Sequence, residues 1–361
     1  MKPRIENIFD RTDEDIDAIV IYNSVKPHID KTFFYVTGLT EGQFENCALI
    51  LYPDRSSEMM VSKLESESAG NADIPMEIME NRDDLEEMFE EKLKDLDKIG
   101  INASELTYKG YMKIEESTDA ELVDVSDAII DARNRKAQKE IELLDQAGTI
   151  ASRVAENIAD KIEIGMKEYE IAAELSYMMK KRGATGDAFE TISSSGPNTA
   201  EPHYTSGERE IEKGDFVLLD FGALYNQYRS DITRTYIMGE ASDRQKKMYN
   251  TVLKAQEAAF EKIEPGIEGK KIHNAAKEVI DSTEFEGKFI HGLGHSIGLS
   301  THDGSGLSPN VDVTLEPGMV FTVEPGIYIS DFGGVRIEDD IAVTEDGFEF
   351  LTDADKELRI L

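Results

Sequence analysis

Lys213–Met238, KGDFVLLDFGALYNQYRSDITRTYIM, reads as two β-strands joined by a tight connection. Period-2 alternation places Phe216, Leu218, Asp220 and Gly222 on one face, and Arg229, Asp231, Thr233 and Thr235 on one face of the returning strand. Pairing about a turn near Tyr225–Gln227 brings Asp220 and Asp231 almost opposite each other. Two carboxylates facing across a ladder repel. What they lack is a positive partner, and hard divalent cations are the partners that carboxylate oxygens select.

A second stretch repeats this plan. In Pro317–Val343, PGMVFTVEPGIYISDFGGVRIEDDIAV, Pro317-Gly318 stands for Lys213-Gly214, Glu324-Pro325-Gly326 for Asp220-Phe221-Gly222, and Glu338 for Asp231. The segments ahead also match: KIEIGMKEYEI from Lys161 and KIEPGIEGKKI from Lys262 share Lys, Ile, Glu, Gly and the final Ile in register. Two halves, each helix, glycine loop, helix and hairpin, indicate an internal duplication. Each half supplies two carboxylates from one hairpin, and two divalent cations would neutralise the four.

The rest of the chain bounds the class. Its 361 residues suggest about two domains, and 40% hydrophobic content suffices for their cores. No apolar run approaches the ~18 residues of a membrane span, and no apolar stretch follows the first residues as in a signal peptide. A single cysteine, Cys47 in the apolar run NCALILY, reads as a core residue and fits a reducing cytoplasm. With 74 acidic against 39 basic side chains the net charge is −35, which repels nucleic acid and anionic membranes. The acidity is spread along the chain and reads as a solvated surface suited to a salty cytoplasm.

Up to about Asp131 the pattern is α/β, with strands expected at Ala18–Tyr22, Thr32–Val36, Cys47–Tyr52, Met59–Ser62 and Lys98–Asn102. Helices are expected over Asp83–Leu96 and near Tyr108–Glu115, and His28 reads as an ordinary surface or core histidine. From Asp131 a long helical pattern follows, its core-facing stripe running through Ile141, Leu144, Ala147, Ile150, Val154 and Ile158. A domain boundary is therefore placed near residues 125–135. In the second domain His203, His291, His295 and His302 lie between or beside the carboxylate hairpins. In HGLGHSIGL the surrounding glycines let backbone approach a ligand closely.

Taken together, LLDFG, YRSDITRTY with its eleven-residue aspartate spacing, HGLGHSIGL, FTVEPGIY and VRIEDD resemble the pita-bread metallopeptidases. The likeness is to the branch of Xaa-Pro aminopeptidases and Xaa-Pro dipeptidases (prolidases), and it runs across nearly the whole chain. It implies an α/β (α+β) protein: a creatinase-like α/β domain over 1–130, then a pseudo-symmetric pita-bread catalytic domain over 131–361. Methionine aminopeptidases share the metal centre but usually lack so large an N-terminal domain.

By that resemblance Asp220 binds one metal, Asp231 and Glu338 bridge both, and His295 and Glu324 complete the other site. Four carboxylates and one imidazole favour manganese (Mn2+), with Co2+, Zn2+ or Fe2+ as alternatives. Two such ions sharing a water lower its pKa and hold the hydroxide beside a scissile carbonyl. Glu324 then accepts the proton and delivers it toward the leaving nitrogen. His203 in EPHYTS and His302 in STHDG serve as donors to the tetrahedral oxygen, and His291 contacts the proline side or the carboxylate of the substrate. Arg336 holds either a bridging ligand or a substrate carboxylate, or forms a structural ion pair. Tyr328 is either a substrate contact or a core tyrosine. Where many relatives have His-Glu, this chain has His302-Asp303.

The implied activity is hydrolysis of Xaa-Pro bonds at the N-terminus of short proline-containing peptides by a cytoplasmic homodimer. Dipeptidase and aminopeptidase stay open, since the first must capture a free carboxylate and the second leaves that side open. A non-catalytic peptide-binding module of the same fold is the reading from a different class; the presence of all five ligands weighs against it.

Overall fold

The computed structural model describes residues 2–81 and 83–361. The chain divides into two compact units, Met1–Arg133 and Asn134–Leu361. Among the described residues no helix is long and apolar enough to cross a membrane.

The first unit is built on a six-stranded mixed sheet. Its strands are β1 (Ala18–Tyr22), β2 (Ala48–Leu51), β3 (Ser57–Ser62), β4 (Met76–Met79), β5 (Lys98–Ile101) and β6 (Glu121–Asp124), in the order β4-β3-β2-β1-β5-β6. Both faces of the central strands are covered, so β1 and β2 are continuous apolar runs with every residue buried. Helix Asp84–Leu93 lays Leu85, Phe89 and Leu93 against Val20, Met60 and Ile99. Cys47 is buried, and burial raises its thiol to about 12, while His28 is exposed. The strand expected at Thr32–Val36 is instead a helix, Thr32–Thr37, closed by Gly38 at φ 70. All six of its residues are buried, and a short run that is apolar on every side carries no period to tell helix from strand.

The expected single helix from Asp131 is two, Ser126–Asn134 at the end of the first unit and Gln138–Ile158 in the second. Between them Arg135 bridges Met319 and the Lys136 N–H donates to the Gly318 carbonyl, which pulls the chain out of helical geometry. Leu144, Ala147, Ile150, Val154 and Ile158 then form the buried stripe. Short strand β7 (Gly186–Asp187) and β8 (Ile192–Ser195) precede the first hairpin, made of β9 (Phe216–Phe221), β10 (Ala223–Tyr225), β11 (Tyr228–Arg229) and β12 (Ile232–Ile237). Its turn residues Asn226 and Gln227 have φ 49 and 73, the left-handed values of a two-residue hairpin turn. Strands β13 (Gly294–His295) and β14 (Gly306–Leu307) close a loop ahead of the second hairpin, formed by β15 (Val320–Val323), β16 (Gly326–Ile329), β17 (Gly333–Arg336) and β18 (Asp339–Val343). A last strand, β19 (Phe348–Phe350), pairs with β18.

The duplication is visible hydrogen bond by hydrogen bond. Gly165 and Gly266, at φ 90 and 87, donate to Ile211 and Leu315, which donate back to Met166 and Ile267. Gly214 and Gly318, both at φ 90, donate to Met238 and Val343, and these donate to Asp215 and Met319. Each half therefore threads the same helix-loop-helix through the same main-chain bonds before entering its hairpin. Helices Asp243–Phe260 and Gly269–Asp281 in the second half match Gln138–Ile158 and Glu168–Lys181 in the first.

Candidate metal centre

The first hairpin pairs Asp220 with Thr233, so Asp231 falls opposite Gly222. Asp220 and Asp231 are thus diagonal neighbours on one face rather than almost opposite, a shift of two residues that preserves the face. In the second hairpin the pairs Val323 with Asp339 and Gly326 with Arg336 share one register, which sets Glu324 directly opposite Glu338. Strand β12 lies beside the second hairpin: the Glu338 N–H donates to Thr233 O, and Thr235 Oγ1 donates to Arg336 O at 2.9 Å. The two carboxylate pairs are thereby held on one site although Asp231 and Glu324 are 93 positions apart in sequence.

Asp220, Asp231, His295, Glu324 and Glu338 all line one cavity of ≈ 540 Å³. His203, His291, His302 and Arg336 line it too, with Phe189, Ile192 and Pro202 as an apolar flank. Tyr328 is buried behind this wall, its hydroxyl placed between His291 and Arg336.

The electrostatics of these groups are unbalanced. Burial, followed by the neighbouring carboxylates, raises Asp231 and Glu338 well above the ordinary carboxylate range. Burial raises Glu324 to about 7, with Arg336 pulling the other way. Asp340, which accepts the Asp231 N–H at 2.8 Å, is raised by burial as well. One side-chain oxygen each of Asp220, Asp231 and Asp340 is buried without a hydrogen-bond partner. Such groups cost free energy unless they are protonated or meet a cation.

His295 shows which is intended. Its Nδ1 lies 3.3 Å from the Ser296 carbonyl, which can only accept, so the ring proton sits on Nδ1. Burial, then His302, lowers its pKa to about 4, so the ring is neutral. The unprotonated Nε2 therefore aims its lone pair at Asp231 Oδ2, 3.8 Å away, and Glu324 Oε1, 3.6 Å away. A lone pair facing two carboxylates is repulsive until a cation sits between them, and a backbone carbonyl on the opposite ring nitrogen is how metal-binding histidines are oriented. Ligand atoms of Asp231, His295 and Glu338 lie within 4.8 Å of one another, which fits a shared ion.

The partners of several supporting side chains had no signal in the sequence. Thr233 Oγ1 donates to Glu338 Oε2 at 2.5 Å, and Thr322 Oγ1 donates to Glu324 Oε1 at 3.2 Å while accepting the His295 N–H. Arg336 forms a 2.6 Å ion pair with Asp220 and donates to the Tyr328 hydroxyl at 2.9 Å and to Thr233 Oγ1 at 3.1 Å. Burial discourages its charge, but Tyr328, Asp220, Glu338 and Glu324 hold the guanidinium protonated. His291 follows from this chain of bonds. Its Nδ1–H donates to Gly292 O at 2.7 Å, so Nε2 accepts the Tyr328 O–H at 2.9 Å. Burial and Arg336 lower its pKa to about 4, so it is a neutral ring with both nitrogens engaged.

Residues 142–345 match the family described as metallopeptidase family M24, and residues 4–135 match the creatinase/prolidase N-terminal domain. The chain is 36% identical to the Xaa-Pro dipeptidase of Pyrococcus furiosus over 361 residues, 99% of this chain and 100% of that one. Among solved structures it is similar to the Xaa-Pro dipeptidase from Bacillus anthracis, with a TM-score of 0.91, 36% identity and 99% of each chain covered. It is also similar to the X-Pro aminopeptidase from Thermotoga maritima, with a TM-score of 0.88 and 31% identity over 96% of this chain and 98% of that one.

Proposed function

This chain belongs to metallopeptidase family M24, and from that premise we propose that it hydrolyses Xaa-Pro bonds at the N-terminus of dipeptides or short peptides. It is a metallo-exopeptidase with the pita-bread catalytic fold behind a creatinase/prolidase N-terminal domain. The observation that carries the metal reading is the neutral His295 whose lone pair faces Asp231 and Glu324. We assign the ligands as Asp220, Asp231, His295, Glu324 and Glu338, holding two divalent ions, with Mn2+ preferred for four carboxylates and one imidazole. A cytoplasmic homodimer with its domain boundary near residue 131 completes the proposal.

When bound, the ions supply Lewis-acid polarisation of a carbonyl oxygen and acidify water. The protein groups do the rest. Glu324, on the cavity wall beside His295, is placed to take a proton from the attacking water and pass it toward the leaving nitrogen. An Xaa-Pro bond needs such a group, because its nitrogen leaves as a secondary amine and must be protonated. His203 and His302, on the cavity wall, present ring N–H donors to the oxygen that gains charge. His291 offers the substrate the carbon edge of its ring, since both nitrogens are engaged. Arg336 is the single cationic side chain among the lining residues, and it serves Asp220 as counter-charge. Phe189, Ile192 and Pro202 give the prolyl ring an apolar, water-poor flank.

The test is hydrolysis of Xaa-Pro, Xaa-Pro-Yaa and Met-Ala-Ser by the Mn2+-loaded protein, with Asp231→Asn as control. Cleavage of the dipeptide alone makes it a dipeptidase, and cleavage of the tripeptide at Xaa-Pro an aminopeptidase. No cleavage with any metal, the control being indistinguishable, refutes the enzyme and leaves a peptide-binding module.

A further inference from the structure

A charged pair outside the metal centre is buried next to it. Lys136 and Asp303 have side chains only 2% and 3% exposed, and Lys136 Nζ lies 3.5 Å from Asp303 Oδ2. Lysine is almost never buried so fully unless paired. The same ammonium donates to Ser296 Oγ at 3.1 Å and to the Asn134 carbonyl at 3.5 Å. Ser296 in turn donates from Oγ to Asp303 O at 3.3 Å and accepts the Asp303 N–H at 2.9 Å.

These contacts sit on the loop that β13 and β14 close, between His295 and Gly306. His302 projects from it into the cavity, its ring 4.1 Å from that of His295. The next side chain, Asp303, points the other way, to Lys136. Lys136 is itself fastened by its N–H to Gly318 O at 2.7 Å, and Asn134 Oδ1 accepts the Ser305 N–H at 3.1 Å. The residues between the two helices therefore form a strap across the back of the His302 loop. The glycines there admit nothing larger: a Cβ at Gly298 would collide with Asp303, and one at Gly304, where φ is 137, with Asn134.

We propose that Lys136 and Asp303 are positioning residues for His302, fixing the depth at which its ring enters the cavity. The proposal rests on the reading of His302 as a group that faces the substrate. A surface ion pair would tolerate drift, but a dry one with each partner tied to a second group has a single geometry. Displacement of a reacting group by an ångström is worth ~10²-fold in rate.

The test uses Lys136→Met and Asp303→Asn in the full-length, metal-loaded protein, with Lys136→Arg as the charge-keeping variant. Expected are a kcat lowered by ~10²-fold with KM within about threefold, unchanged bound metal, and recovery of most of kcat by Lys136→Arg. In the diamagnetic Zn2+-loaded protein labelled with ¹⁵N-histidine, the His302 ring resonances are expected to shift or broaden in the same variants. Should Lys136→Met fail to fold, the near-isosteric Asp303→Asn decides. A kcat within about threefold of wild type and an unmoved His302 signal overturn the proposal, whatever the thermal stability. If the wild type cleaves no Xaa-Pro peptide, the function fails, but the His302 resonances still decide the strap.

Discussion

Replacing Glu324 by glutamine in metal-free protein is expected to stabilise the fold, and by an amount that grows with pH. Glu324 is raised from the ordinary 4.5 to about 7 by burial, opposed by Arg336 and reinforced by Asp220. Its side chain is 17% exposed, so little solvent screening intervenes. A carboxyl that binds its proton more tightly when folded favours folding at low pH, and that advantage is lost as pH rises from 4.5 to about 7. The span of about 2.5 units at about 1.4 kcal/mol each amounts to roughly 3 kcal/mol. His291 and His295, lowered to about 4 mainly by burial, act with the opposite sign between about 4 and 6.5. The measurement must therefore be a difference. Urea unfolding of EDTA-stripped wild type and Glu324→Gln at pH 4.5, 6 and 8 should give a difference that grows by roughly 3 kcal/mol across the series, in favour of the variant. Reloading Mn2+ should reverse the order at pH 8, because the variant loses a proposed ligand. A difference that stays flat with pH, or a metal-loaded variant still more stable than wild type, would refute this account of the site.

Asp231→Asn removes a carboxylate placed against both His295 and Glu338, and is expected to lose bound metal by elemental analysis and at least ~10³-fold in kcat/KM. His203→Ala and His302→Ala should keep their metal and lose roughly 10²- to 10³-fold in kcat, as removal of an oxyanion donor does; loss of metal instead would make them structural. Arg336→Met leaves Asp220 buried without its counter-charge, which costs about 3–5 kcal/mol in the metal-free protein, read by calorimetry. Raising KCl toward molar concentrations should raise the melting temperature of a chain with net charge −35; a flat or falling profile rejects self-repulsion as a main cost.

The hairpins, their carboxylates and the duplication were legible because each rests on a local period or a repeated spacing. Their register was not. Asp220 lies opposite Thr233 because the turn consumes only Asn226 and Gln227, and two residues of slip leave the faces unchanged, so alternation alone cannot detect it. The break at Arg135–Ala137 was hidden for another reason: the bonds that straighten it come from Gly318 and Met319, far along the chain. Thr233, Thr322 and Asp340 escaped notice likewise. Their partners are set by which strands meet, and no spacing within one segment encodes a bond such as Thr233 to Glu338. Arg336 stood between three readings until Asp220 was seen 2.6 Å away.

The repeated halves leave one more consequence. The ladder that pairs Ser194 with Leu218 in the first half pairs the His295 segment with Thr322 in the second, since Ser195 faces Val217 as Ser296 faces Phe321. Where one half carries an imidazole, the other carries the short, buried hydroxyl of Ser194. A centre assembled from two equal copies would have a twofold axis and no preferred sense, whereas a peptide runs from amine to carboxyl. Serine against histidine at this matched position, beside aspartates matched to glutamates, breaks the equivalence and gives the centre two unlike sides.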